Sequence, residues 1–395
     1  MNIKRAAIVS LCRTPVGNFG GAFRELSASK LGTVAAVEAI KRAGIKPDDI
    51  DECVVGCCGQ SMREANVARV IALHAGLPHR STAYCVQRNC ASSLQSLASA
   101  VMGITCGDGD VYLVGGVESM STAPYEVYGA RWGLRLRHAQ FEDTLWNGLT
   151  DAYTGLIMGL TAENLAEKYG ITREEQDRWA IDSHMKAFKA VRMGKFKEEI
   201  VPVEVPKSRG QPEVVQQDEG PQAGLSMERL ALYPTVFKKD GTVTPGNSCG
   251  ISDGASFAVV MSEDAMRRLG LKPLAYVTGF AFAGCDPALM GIGPVYSTRK
   301  ALERCGLKLE DIGLYEMNEA FAAQAITCHR ELNFNLENLN VNGGGIALGH
   351  AVGNTGVRMI NTLVYEMRRR GTRYGLATMC VGGGQGGTVI VELPQ

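Results

Sequence analysis

One twelve-residue pattern occurs twice in this chain, and the repetition limits the folds open to it more than any other feature. Residues Ala39 to Ile50 read Ala-Ile-Lys-Arg-Ala-Gly-Ile-Lys-Pro-Asp-Asp-Ile, and Ala301 to Ile312 read Ala-Leu-Glu-Arg-Cys-Gly-Leu-Lys-Leu-Glu-Asp-Ile, in register at an offset of 262 residues. Each copy is expected to be a helix ended by glycine, followed by a short acidic turn. Each leads into a strand-like run, Cys53-Val54-Val55-Gly56 and Gly313-Leu314-Tyr315-Glu316. Alternating helix and strand predict an α/β fold built from two similar halves.

The duplication continues downstream. A helix-compatible run, Ala91 to Met102, leads through Gly107-Asp108-Gly109 into the strand Val111 to Gly116, and its counterpart runs from Thr355 to Arg370 and into Gly375 to Gly383. Pseudosymmetric halves commonly share a cleft, which would bring the two late helix starts together, with Cys90 at one and His350 at the other. Ser121 to Cys249 has a different texture, with a charged helix over Thr172 to Val191 and a Gly/Pro/Gln-rich stretch from Lys207 to Gly224. The expected organisation is a first half of residues 1–120 plus 250–272, a loop domain of 121–249 covering the site, and a second half of 273–395. Ala255 to Met261 is expected to be a strand rejoining the first half.

Charge narrows the partners. Forty-one basic residues balance 41 acidic ones, so no overall field for nucleic acid exists. No run reaches the ~18 apolar residues of a membrane span, and Ala6 to Cys12 is too short for a secretory leader and reads as a first strand. The ending Glu392-Leu393-Pro394-Gln395 is no peroxisomal tripeptide, so a cytoplasmic location is expected. The 12 cysteines are scattered, which favours reduced thiols over a disulfide framework. Cys53, Cys57 and Cys58 come nearest to a metal cluster, but no second Cys/His pair stands at zinc spacing, and no metal is expected.

Four residues could carry chemistry. Cys90 precedes a helix, whose free amides and dipole favour a thiolate; a packed structural cysteine remains open on this ground alone. His350 ends Asn342-Gly343-Gly344-Gly345-Ile346-Ala347-Leu348-Gly349, where glycine lets backbone pass close to a ligand. His74, His79, His138, His184 and His329 read as structural or surface groups. Cys380 lies where a strand runs into Val381-Gly382-Gly383-Gly384-Gln385-Gly386-Gly387, whose amides could converge on an oxyanion. Asn318, after the second repeat's strand, has an amide able to hold a water or carbonyl.

Taken with Arg13-Thr14-Pro15, Gly115 to Ser121, Met158 to Asn164, Lys238 to Thr244, Asp286-Pro287 and Met290-Gly291, these segments resemble the thiolase family along the whole chain. The resemblance implies a duplicated five-layered αβαβα core with a loop domain over the site, and homodimers or dimers of dimers. It makes Cys90 the acyl-carrying nucleophile, with His350 lowering its pKa and taking its proton, and Cys380 the acid/base for carbon–carbon chemistry. It gives the oxyanion to the amides of Cys90 and Gly382, and the enolate oxygen to His350 and an Asn318-held water. Acyl-CoA and coenzyme A are the implied substrates, contacted by Met158, Gln222, Ser248, Cys249 and Met290. No metal or permanently bound cofactor is required.

Several positions depart from the family's usual text. Ile157 stands where short-chain members carry histidine, which points away from acetoacetyl-CoA and toward a bulkier β-ketoacyl-CoA. Ser93 replaces a glycine and Ala351 a proline, Gln222 stands for an arginine near the adenine, and Cys249 for a serine near the pantetheine. The cluster Arg131, Arg135, Arg137 and His138 could meet a phosphate or carboxylate, although a solvated basic face is the commoner explanation of such a cluster. A decarboxylating ketoacyl synthase would use paired histidines, and a papain-like protease would not explain the duplication. A thiolase-like binding subunit, with Cys90 and Cys380 as a redox dithiol, or a chain completed by an accessory subunit, is the remaining alternative.

Overall fold

Both copies of the repeat fold by the same local devices. Gly44 and Gly306 end their helices in the left-handed region, at φ 70° and 64°, a conformation that costs glycine nothing. Lys46 N then donates to Asp49 Oδ2 and Lys308 N to Asp311 Oδ2, each at 2.8 Å. The isoleucines that follow, Ile50 and Ile312, are buried, which fixes where each new strand enters the core.

The computed structural model describes residues 5–136, 138–207 and 210–395. The chain forms β1 (Ala6–Arg13), α1 (Ala28–Ala43), β2 (Glu52–Gly56), α2 (Val67–His74), β3 (Thr82–Val86), α3 (Ser92–Cys106) and β4 (Val111–Ser119). An excursion carrying α4 (Met158–Tyr169) and α5 (Arg173–Arg192) precedes the return strand β5 (Ser252–Ser262). Then come β6 (Ala275–Gly284), α6 (Gly293–Cys305), β7 (Leu314–Met317), α7 (Ala322–Leu332), α8 (Thr355–Arg370), β8 (Tyr374–Val381) and β9 (Gln385–Glu392). Among the described residues no helix is long and apolar enough to cross a membrane.

The strand order is β7-β8-β9-β6-β1-β5-β4-β2-β3. It contains the same pattern twice: β2 and β4 are parallel, β5 is antiparallel to β4, and β1 to β5; β7 and β8 are parallel, β9 is antiparallel to β8, and β6 to β9. The halves join through the antiparallel β1–β6 pair, with Ala6 opposite Val277 and Ile8 opposite Ala275.

Successive strand residues serve different cores, as a pleat buried on both faces requires. Val55 and Phe257 pack against Leu31 and Ala35 of α1, whereas Val54 and Val260 pack with Leu94 of α3 and Leu363 of α8. Tyr315, Leu376 and Ile390 pack against Val295 of α6 and Ala325 of α7. Helices α3 and α8 therefore form a middle layer between two sheet halves, with helices outside each, which is the expected αβαβα order.

The two middle helices meet at their N-terminal ends. A Cβ on Gly116 would collide with the Gly353 carbonyl, and one on Gly356 would come 2.6 Å from Leu94 N, so both positions need glycine for this approach. Ser93 Oγ donates to Asn354 O and accepts from Val357 N, both at 3.0 Å. The expected helix starts shift slightly. Cys90 lies two residues before α3, because Asn89 turns the chain at φ 41°, and His350 lies five before α8, because Gly349 at φ 91° and a turn from Ala351 to Asn354 intervene. Gly382 and Gly383, expected within a strand, form the turn between β8 and β9 instead.

Arg13, at the end of β1, anchors the excursion. Its side chain is fully buried and donates to Glu199 Oε1 at 2.7 Å and to Asp218 Oδ1 and Oδ2 at 2.6 and 2.9 Å. Thr362 of α8 also donates to Glu199 Oε1, at 3.1 Å, so one guanidinium organises β1, the excursion and the middle layer. Arg13→Met strands both carboxylates away from water. Chemical denaturation is expected to show a loss of about 3–5 kcal/mol, and a loss below about 1 kcal/mol would show that the cluster is not structural.

Candidate active site

Cys90 sits between a strained turn and a helix start. Asn89 adopts left-handed backbone, and its Nδ2 donates to Gly382 O at 2.8 Å, tying the nucleophile's turn to the β8–β9 turn of the other half. Arg88 reinforces this clamp, with Nη1 donating to Gln385 Oε1 at 3.0 Å and its guanidinium lying 4.2 Å from the Phe282 ring centroid. The backbone amides of Gly382 and of Cys90 itself favour the charged form of the Cys90 sulfur. Burial nevertheless dominates and pushes the thiol up to about 11, with the Glu118 carboxylate adding to the rise.

His350 is buried, and its Nδ1 lies 2.7 Å from Thr355 Oγ1, while Nε2 has no protein partner. Burial, with Arg358 as a second cause, pulls the imidazole down to about 3. At neutral pH the site therefore holds a thiol and a neutral imidazole. In the resting site the neutral His350 ring adds no charge that would lower the Cys90 thiol, whose upward shift comes chiefly from burial.

Cys380 is the next-to-last residue of β8 and is fully buried among Ala162, Met290, Ala320 and Phe321. Burial pushes its thiol well above the ordinary range, and neighbouring Cys90 adds to the shift. Asn318 follows β7, and its amide donates to Thr378 O at 3.0 Å, which continues the β7–β8 pairing and sets it beside the strand that carries Cys380. Both polar atoms of its side chain are buried without a protein partner. Unpaired amide groups are costly in a core, so this one suits a water or a substrate oxygen.

Two cavities adjoin here, and neither Cys380 nor Asn318, both fully buried, lines either one. Cys90, His350, Gly382, Met158, Cys249 and Met290 line one of about 570 Å³. Gln222 and Ser248 line a second of about 120 Å³. The consecutive residues Ser248 and Cys249 mark the junction, where Cys249 N donates to Ala320 O at 3.0 Å. Arg131, Arg135 and His138 are exposed and line neither cavity, and Arg137 lies outside the described residues.

Sequence reading missed several neighbours. His184, read as structural or surface, lines the smaller cavity, and its Nδ1 accepts from Gln222 N at 3.2 Å. Cys58 lines the larger cavity, and its thiol donates to Asn89 O at 2.9 Å. Glu118 accepts from Gly59 N and Gly353 N, each at 2.7 Å, and so bridges the two halves. Only its place in a recognised segment hinted at such a role. Among the described residues no group of three or more His, Cys, Asp or Glu side chains is arranged to hold a metal.

The site gathers a cysteine, two backbone amides and a neutral histidine at one cavity, groups able to support acyl transfer. Family models described as "Thiolase, N-terminal domain" and "Thiolase, C-terminal domain" match residues 6–264 and 271–393. The chain belongs to the thiolase family and is an acyltransferase acting on acyl-CoA. It is 45% identical over 394 residues to an acetyl-CoA acetyltransferase of Syntrophomonas wolfei, covering 98% of this chain and 99% of the relative. Human mitochondrial 3-ketoacyl-CoA thiolase superposes with a TM-score of 0.97 at 40% identity and covers all of both chains. The same human enzyme in complex with CoA gives a TM-score of 0.96, covering 100% of this chain and 99% of that one.

With the Cys90 pKa raised, the thiolate fraction climbs about tenfold per pH unit up to that pKa. Alkylation of Cys90 by iodoacetamide, followed by peptide mass spectrometry, should rise at this slope from pH 7 to pH 10. A plateau reached by pH 8 would reveal a thiol held low, contrary to the electrostatics of the resting site.

Proposed function

We propose that this thiolase cleaves a β-ketoacyl-CoA with free CoA, or runs the reverse Claisen condensation, through an acyl group carried on Cys90. The observation that supports this most is the convergence of Cys90, the Gly382 amide and His350 on one cavity. The Cys90 sulfur attacks the β-carbonyl as its proton passes to His350 Nε2. This transfer is coupled to bond formation, since neither ion is stable at rest. The developing oxyanion is taken by the amides of Cys90 and Gly382; one such donor is worth about 2.7–4 kcal/mol of barrier. Cys380 protonates the departing acetyl-CoA carbanion, while Asn318 and His350 hold its thioester oxygen. CoA then takes the acyl group from Cys90.

We further read the acyl group as larger than acetoacetyl. The cavity beyond Cys90 has an apolar wall of Met120, Ala123, Pro124, Leu145 and Leu149. Ile157 does not line that cavity but stands beside Met158, which does, at the position where short-chain members carry a histidine, and its side chain offers no polar contact. The pantetheine arm is proposed to run past Met158, Met290 and Cys249, with the nucleotide toward Ser248 and Gln222. Assembly as a homodimer or dimer of dimers fits the open edge at β3 and the exposed Trp132, Leu136, Phe141 and Tyr153.

A thiolysis panel of β-ketoacyl-CoAs of increasing bulk, with acetoacetyl-CoA as comparison, tests the reading on the purified chain alone. Larger substrates should show the higher kcat/KM, and Ile157→His should raise acetoacetyl-CoA turnover about 3- to 10-fold, the value of one added hydrogen bond. Inactivity throughout would overturn the enzyme reading, and activity regained only with a second protein would favour an accessory subunit. Cys90→Ser should form no acyl-enzyme. Cys380→Ser should acylate from an acyl-CoA yet lose about 10²–10⁴-fold in carbon–carbon chemistry, and normal turnover would remove Cys380 from the mechanism.

A further inference from the structure

His350 can take a proton at Nε2 only if its single resting hydrogen sits on Nδ1, and the groups around the ring decide where that hydrogen goes. Among the described residues, one side chain is hydrogen-bonded to Nδ1. Thr355 Oγ1 lies 2.7 Å from it and, at the same time, 2.8 Å from the carbonyl oxygen of Ala351. A hydroxyl has one proton, and a carbonyl has none to give. Were the hydroxyl to donate to Nδ1, two oxygens would face each other at 2.8 Å with no hydrogen between them. Both short contacts are hydrogen bonds in one arrangement alone: Thr355 donates to Ala351, and Nδ1–H donates to Thr355.

We infer that Thr355 is a positioning residue that fixes His350 as its Nδ1–H tautomer and so keeps the Nε2 lone pair free to accept the Cys90 proton. The same oxygen then stays in place to accept from Nδ1–H as positive charge develops on the ring, where no carboxylate contacts it. Thr355 is itself held rigidly. It is the first residue of α8, and Ser93 bonds the Asn354 carbonyl and the Val357 amide on either side of it. The device therefore spans both halves, since Ser93 belongs to the helix that follows Cys90. The buried Nε2 with no protein partner is what such a tautomer leaves behind.

The inference rests on His350 serving as the base toward Cys90, and its test separates the two ideas. Thr355→Val keeps the shape and removes the hydroxyl, whereas Thr355→Ser retains it. Pre-steady-state acylation and steady-state thiolysis should show kcat falling about 10- to 100-fold in the valine variant with KM nearly unchanged, the scale on which an orienting partner acts, and recovery to within about threefold in the serine variant. Nitrogen-15 NMR of the wild-type protein labelled at its six histidines, with His350 assigned by its loss in His350→Asn, reads the tautomer directly. A protonated Nδ1 and bare Nε2 are expected. A bare Nδ1 in the wild type, or Thr355→Val turning over at the wild-type rate, overturns the inference. If Nδ1 carries the hydrogen but His350→Asn still acylates Cys90 normally, the tautomer assignment stands and His350 as base falls.

Discussion

The abutment of two helix starts from different halves of the chain is the constraint on which the site depends. Cys90 comes from the first half, whereas His350, Asn318, Cys380 and Gly382 come from the second, so no local fold could assemble them. What brings them together is backbone contact at α3 and α8, possible because Gly116 and Gly356 have no side chain to intrude, and then locked by the Ser93 hydroxyl. Asn89 adds a bond to Gly382, and Glu118 one to Gly353. Each of these crosses between the halves. A duplicated sheet that merely paired edge to edge would leave the helix starts free to slide, and sub-ångström placement of a nucleophile would be lost.

The same close packing sets the electrostatics. A site dry enough to strengthen hydrogen bonds to an oxyanion also penalises a standing thiolate–imidazolium pair. Cys90 and His350 accordingly rest neutral, with the thiol raised and the imidazole lowered by burial. In the proposed mechanism charge is made only when a substrate carbonyl can receive it, at the oxygen that the Gly382 and Cys90 amides would address. Positioning then matters more than resting pKa, because the proton must leave sulfur along one path as the carbon–sulfur bond forms.

Much of this was legible in the sequence, and the reason differs by element. The repeats could be read because their devices are local: a glycine after a helix, an aspartate three residues past a turn's first amide, an isoleucine where the strand begins. Helix α5 was legible from its charged texture, and the structure adds a local device at its start, the Thr172–Glu175 capping box. The reactive residues were marked by glycine density and strand ends rather than by their contacts. His184, Cys58 and Glu118 could not be assigned from sequence, since what gives each its place is a partner 31 to 235 residues away. The raised resting pKa of Cys90 is not legible at a helix start, because its main cause, burial, is a property of the assembled core.

Burial also bears on the rival idea that this chain keeps its thiols for redox exchange. Cys58, Cys90 and Cys249 line the same cavity, Cys380 is packed against Met290, Ala320 and Phe321 of its wall, and burial raises every one of them, Cys249 to about 12. Disulfide exchange and oxidation begin from a thiolate, and redox-active dithiols place one member low and accessible. Here the second thiol of the supposed pair, Cys380, has no exposed surface. A high, shielded pKa suits a group that must carry a proton to a carbanion and surrender it again within a closed site, and it protects that group from the oxidants that a sensor would need to meet. The clustering of cysteines fits the proposed acyl and proton transfer in an apolar cavity, where a thiol is an acid that packs like a small hydrophobe.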